Sequence, residues 1–192
     1  MLRTSNIDDI VGARRGHGGK VHRMPEHEYT FALLVAGLDL DDDTQCDAYF
    51  AAGLDDSVLE DRDGLALATF FRTTSSPDSA LKSAITDIEH GVPGARVLRV
   101  DEQLVNLADI ADQLGRTTES VRLLATSARG PGGFPPPAGV VGKGVRVWRW
   151  ADVRSWLVGH GVVARDELAE TLPSALIDAT NLQLDAAPDR VG

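Results

Sequence analysis

The sequence predicts an α+β protein, and three observations carry that prediction. Residues 29–104 alternate strand-like and helix-like patterns in the order β-α-β-β-α-β. Residues 105–128 hold two short amphipathic stretches of helical period meeting at a glycine. Residues 130–150 pass from Gly- and Pro-rich sequence into alternating, β-branched sequence. The proportions of hydrophobic (43%) and charged (25%) residues are those of a soluble globular chain. No apolar run approaches the ~20 residues of a membrane span, and residues 1–28 lack the apolar stretch of a secretory leader. The single cysteine, Cys46, has no partner for an internal disulfide, so the expected setting is a reducing cytoplasm, with no membrane partner.

Residues 1–28 place Gly12, Gly16, Gly18 and Gly19 among basic residues and histidines with no apolar period, which predicts a disordered arm. Tyr29, Phe31, Leu33 and Val35 alternate as a strand. The intervening Ala32, Leu34 and Ala36 are also apolar, as suits a central strand covered by helices. Thr44 is expected to cap a helix that turns Cys46, Tyr49, Phe50 and Leu54 to one face. Val58–Glu60 and Leu65–Thr73 flank the turn sequence DRDG at 61–64. Ser76 suits an N-cap, with Pro77 and Asp78 in the first turn and Leu81, Ala84, Ile85 and Ile88 as the apolar stripe. Gly91 is placed to end this helix, and residues 95–100 form a further strand. That order is the split βαβ, or ferredoxin-like, arrangement, expected over residues 29–104.

The second unit, residues 105–160, begins at Asn106. Leu107, Ile110, Ala111 and Leu114 share one helix face, Gly115 permits a sharp turn, and Thr117 can cap the next helix. Val121, Leu124, Ala125 and Ala128 repeat the spacing there. A short strand, a tight turn at Gly142–Gly144 and a returning strand follow, and Trp150, Val153 and Leu157 open a third helix that stops near Gly159 and Gly161. Over residues 161–192, a C-terminal helix spanning Arg165–Thr180 is expected, interrupted at Pro173.

Net charge is −10, which disfavours a polyanion as partner, but the charge is unevenly distributed. Residues 29–104 carry 5 basic and 15 acidic residues, whereas residues 105–160 carry 7 and 4. Only the helical hairpin and its trailing ribbon suit phosphate. The spacing Ala111, Gly115, Val121 resembles a helix-turn-helix signature. The downstream Phe134-Pro135, Lys143, Arg146-Val147-Trp148-Arg149-Trp150, Asp152-Val153 and Trp156-Leu157 resemble the wing and following helix of excisionase-like, AlpA-like and MerR-like winged helix-turn-helix proteins. Arg116 departs from the pattern, which often has an apolar residue after the glycine. Whole chains of this kind also resemble actinobacterial helix-turn-helix DNA-binding proteins.

The resemblance implies double-stranded DNA as ligand, with the second helix in the major groove and the wing against the backbone or minor groove. The residues expected to serve it are Arg116, Thr117, Thr118, Glu119, Arg122, Ser127, Arg129, Lys143 and Arg146. Arginine can bond guanine bidentately and glutamate can accept from cytosine, while hydroxyls and Arg116 can hold phosphate. The alternating Trp148 and Trp150, and Trp156, are expected to pack rather than stack on bases.

The remaining constellations carry no chemistry of their own. Asp39, Asp41 and Asp43 alternate as a calcium loop begins, but the sixth position is Thr44 rather than glycine and the twelfth is Phe50 rather than glutamate. His17, His22 and His27 lie in the glycine-rich arm, and His90 and His160 each precede a glycine at a helix end, as capping residues do. No catalytic arrangement, P-loop or dinucleotide fingerprint is present, so neither enzyme activity, nor a metal, nor another cofactor is expected. The expected function is a sequence-specific DNA-binding regulator, acting as a homodimer, whose acidic domain dimerises, senses a small molecule or binds a protein. The alternatives are a DNA architecture or recombination accessory factor, and a protein-interaction module that does not bind DNA.

Overall fold

The structure, a computed structural model, describes residues 25–186. The arm expected over residues 1–28 lies outside the described residues except for its last four. The described residues are mixed α and β, with six helices and sheets that are antiparallel apart from one short parallel pairing.

The first sheet is built from β1 (His27–Ala36), β2 (Ser57–Arg62), β3 (Leu65–Thr74) and β4 (Arg96–Val100) in the order β2-β3-β1-β4. Strand β1 is central, as its two-sided apolar pattern requires, and pairs antiparallel with β3 from His27↔Thr74 to Val35↔Ala66. The β2–β3 turn forms where Asp63 and Gly64 both take positive φ (56° and 84°), the backbone that a two-residue hairpin needs. Helices α1 (Asp43–Ala51) and α2 (Pro77–Gly91) join β1 to β2 and β3 to β4. Phe31, Leu33, Val35, Ala68 and Phe70 pack with Leu81, Ala84 and Ile88 of α2, and Phe31 stacks on Phe70 at 5.3 Å.

Three local expectations change. The cap of α1 is Asp42, whose Oδ1 accepts from the Thr44 N–H at 2.8 Å, so Thr44 already stands inside the helix. Within α1 only Tyr49 is buried. Leu54 is buried beyond the helix end, Cys46 is half-buried with its thiol 3.6 Å from the Leu40 carbonyl, and Phe50 is 62% exposed. The helix is too short for its face to reach the core twice. Ser76, Pro77 and Asp78 open α2 as expected. Gly91, however, is not a left-handed terminator, because Val92 in extended backbone is the C-cap. A Cβ on Gly91 would stand 2.3 Å from that of Ala52, so the glycine is there for close approach of α1 and α2.

The second unit holds α3 (Leu107–Gln113), α4 (Thr118–Ala125), a three-stranded sheet in the order β5-β7-β6, and α5 (Trp150–Gly159). Strand β5 (Leu104–Val105) was not legible in the sequence; it pairs with the end of β7 (Val145–Arg149), whose other edge takes β6 (Gly139–Val141). Val105, Ile110, Ala111, Val121, Leu124, Trp148, Trp150, Val153, Trp156 and Leu157 form a separate core. Helix α4 ends at Ala125, and Ala128 lies outside it and exposed. Ser127 takes φ 56°, and the Arg129 N–H turns back to the Leu123 carbonyl at 3.1 Å.

The segment after residue 160 differs most from expectation. Instead of one helix broken at Pro173, it forms a 3-10 turn (Arg165–Glu167), strand β8 (Glu170–Thr171) and helix α6 (Ser174–Ala186). Proline lacks the N–H a helix interior needs, and here it stands just ahead of α6. Strand β4 pairs with only the later half of β1, and β8 pairs with its first half, parallel, at Tyr29↔Glu170 and Thr30↔Thr171. Leu172, Ile177 and Leu184 then enter the first core. Asn181 completes the docking: its Nδ2 donates to the Val100 carbonyl at 3.0 Å and its Oδ1 accepts from the Val100 N–H at 2.7 Å.

Candidate nucleic-acid interface

The candidate interface is the α3–α4 hairpin and the β6–β7 ribbon. Asn106 opens α3 with a full capping box, its Oδ1 accepting from Ala108 and Asp109 while the Asp109 carboxylate accepts from the Asn106 N–H. Gly115 takes φ 58°, which only glycine adopts cheaply, and the chain reverses there. Thr117 caps α4 by accepting from the Ser120 N–H at 3.2 Å, leaving its own O–H free to donate. Ile110 and Ala111 from α3 meet Val121 and Leu124 from α4 in the buried seam. The opposite face of α4 exposes Thr118, Glu119 and Arg122.

Arg122 and Glu119 form a forked pair, Nε to Oε2 at 2.7 Å and Nη2 to Oε1 at 2.6 Å. The hydrogen bond from Arg122 holds the Glu119 carboxyl below its ordinary range, and the same contact raises the Arg122 guanidinium. Both side chains are in solvent, where such pairs are weak and readily exchanged. Arg116 does not point freely outward as expected: its Nη2 donates to the Val162 carbonyl at 3.2 Å, tying the corner to the chain after α5. Ser127 and Arg129 follow α4 in exposed, non-helical backbone.

The ribbon reverses through Gly142 (φ 51°) and Gly144 (φ 92°), with Lys143 exposed at its tip. Arg146 lies over the Trp148 ring, 5.8 Å from its centroid. Val140, Val141 and Val145 on the same ribbon are 63%, 48% and 47% exposed. All three tryptophans are packed. The indole N–H of Trp148 donates to the Pro135 carbonyl and that of Trp156 to the Gly132 carbonyl, and Phe134 packs edge-on to both rings, so the Gly-Pro loop is anchored by aromatics. His90 and His160 sit at helix ends as expected, their Nδ1 atoms 3.0 Å from the Thr86 carbonyl and 2.9 Å from the Trp156 carbonyl.

Counting basic residues along the sequence overstates the cation available here. Arg149 forks onto Asp178 of α6 at 2.9 Å and donates to Glu102 at 3.0 Å. Arg154, 6% exposed, pairs with Glu170 of β8 at 3.0 Å and donates to the Leu168 carbonyl at 3.1 Å. These two arginines, with Ser174 donating to Asp152 at 2.6 Å, fasten the second unit to β8 and α6. Sequence reading missed that role because the partners are distant along the chain. Among the described residues, Arg129, Lys143 and Arg146 have no ion pair, nor has Arg116, whose partner is the Val162 carbonyl. No family model, curated protein or solved structure matches the chain.

Proposed function

We propose that this protein binds double-stranded DNA through a winged helix-turn-helix, with α4 entering the major groove and the β6–β7 ribbon lying against the backbone. The observation that supports it best is the disposition of charge. The inward arginines, Arg149 and Arg154, are neutralised by carboxylates, whereas among the described residues Arg129, Lys143 and Arg146 have no ion pair on the hairpin and ribbon, and Arg116 is held only by a backbone carbonyl. Polyanion affinity comes from such uncommitted cations. Arg122 is held beside a helix face in an exposed pair that a guanine edge can replace, and Glu119, once released, can accept from cytosine. The hydroxyls of Thr117, Thr118 and Ser127 suit phosphate contacts.

In this reading the β-α-β-β-α-β unit is a ferredoxin-like module, acidic enough to stay off the duplex, and the protein is a transcriptional regulator that doubles its specificity as a homodimer on paired half-sites. Selection of duplexes from a random pool, followed by fluorescence anisotropy on the recovered sequence, tests it. Recovery of an enriched, paired motif is the expected outcome, and recovery of unenriched sequence refutes sequence-specific reading.

A second reading has its own support. The exposed Val140, Val141 and Val145 give the ribbon an apolar surface that a protein partner could cover. Failure to bind random duplex DNA at low salt would favour that reading.

A further inference from the structure

We propose that the seam between the two units is a binding site for a small uncharged molecule bearing both hydrogen-bond donors and acceptors, and that this molecule is the effector of the DNA-reading face. The second half rests on the function proposed above; the first does not.

The seam holds a cavity of about 330 Å³ lined by Thr30, Gln103, Gln113, Trp150, Leu168, Ala169 and Thr171. This is the lower end of the range for small-molecule sites. Each wall comes from a different element: Thr30 from β1, Thr171 from β8, Gln113 from the end of α3, Trp150 from the start of α5, and Gln103 from the link between the units.

The polar groups on these walls are uncommitted. Thr30 Oγ1 is fully buried and has no hydrogen-bond partner. Trp150 is only 6% exposed, and its indole N–H, which keeps access to solvent, donates to no acceptor among the described residues, unlike those of Trp148 and Trp156. The side-chain amides of Gln103 and Gln113 and the Thr171 hydroxyl are likewise without a protein partner among the described residues. Buried polar groups in native proteins are nearly always paired, so the orphan Thr30 hydroxyl gains a partner if its χ1 rotor turns Oγ1 toward the cavity, where a ligand or water completes the bonding. Gln103 also holds φ 48°, a strained backbone for a residue with a Cβ.

Among the described residues, no ionisable side chain lines the cavity. A charged ligand would find no counter-charge on these walls, which favours a neutral occupant. Two amides and two hydroxyls supply both donors and acceptors, and Trp150, Leu168 and Ala169 supply apolar surface. Carboxamides and nucleobase-like heterocycles have that chemistry. Gln113 stands two residues before the Gly115 corner, so an occupant touching it contacts the reading hairpin as well as β1 and β8. Any difference in its affinity for two hairpin orientations becomes a coupling to DNA.

The test uses ¹⁵N-labelled full-length protein with nicotinamide and uracil as neutral probes and nicotinate and orotate as their charged counterparts. The expected result is a saturable shift of the Trp150 indole resonance with a neutral probe and none with the anions, while the Trp148 and Trp156 indoles stay in place. Gln113→Ala, at an exposed helix position, should weaken that binding about fivefold, the value of one hydrogen bond. No saturable Trp150 shift with either neutral probe, or an undiminished shift in Gln113→Ala, overturns the site. Repeating the duplex titration with the bound probe tests the coupling separately. A Trp150 shift without DNA binding upholds the site and sinks the DNA reading. DNA binding without the shift does the reverse.

Discussion

Replacing Asn181 by alanine removes both hydrogen bonds that α6 makes to the outer edge of β4, at 2.7 and 3.0 Å. Val100 is fully buried and Asn181 is 8% exposed, so water has little access to the Val100 N–H and carbonyl left behind. Stranding a buried polar group costs about 1–3 kcal/mol. With partial relaxation around two such groups, the expected loss is about 2–4 kcal/mol. For a chain of this size that corresponds to a fall in Tm of about 5–15 °C. Urea denaturation followed by far-ultraviolet circular dichroism reads it directly, with the parent and variant compared at their midpoints. The same experiment asks whether α6 belongs to the first sheet, because Leu172, Ile177 and Leu184 would lose their positioning together. A loss under about 0.5 kcal/mol, the range of an ordinary surface change, would mean that α6 does not dock on β4, and the assignment of the C-terminal segment to the first core would fall with it.

Further outcomes are expected. Gly91→Ala forces a methyl to within 2.3 Å of the Ala52 Cβ and should cost about 1–3 kcal/mol by thermal denaturation. Gly37→Ala should cost more, since it combines φ 74° with a collision against the backbone oxygen of Gly94; equal stability of the two variants would contradict this packing. Burial raises the Tyr49 phenol above the ordinary tyrosine range, so the stability that comes from keeping it neutral is whole below that range. It should fade as pH rises through the higher folded value, visible as alkaline unfolding that Tyr49→Phe delays. Arg122→Ala should weaken a selected operator by about 1–3 kcal/mol and relax one base position, whereas Arg122→Gln should return the Glu119 carboxyl toward its ordinary range in an NMR titration.

What the sequence made legible is local chemistry. Ser76 and Thr117 each act on an N–H three residues ahead and cap the helices read from them, and Asn106, read as the start of the second unit, caps α3. The Asp63–Gly64 turn and the Gly142–Gly144 turn declared themselves because so few residues tolerate positive φ. The β-α-β-β-α-β order followed from periodicity alone. Pairings between distant residues were not legible. Strand β8 exists because β4 leaves half of β1 uncovered, a vacancy that no local pattern announces. Gly91 does end α2, but the reason for a glycine there, its close approach to Ala52, lies beyond the local sequence. At the candidate site, hairpin, cap and ribbon were readable, but the commitment of Arg149 to Glu102 and Asp178, and of Arg154 to Glu170, was not. A count of basic residues cannot distinguish a cation facing solvent from one tying two units together.

Titration of the full chain onto a random-sequence duplex across a salt series is the most direct test of the central claim, that the uncommitted cations of the hairpin and ribbon bind DNA. With Arg129, Lys143 and Arg146 each neutralising one phosphate, the logarithm of affinity should fall against the logarithm of salt with a slope of about −3 per reader, and Lys143→Ala should reduce that slope by about one. Absence of binding at low salt, or a slope that Lys143→Ala leaves unchanged, would contradict the account.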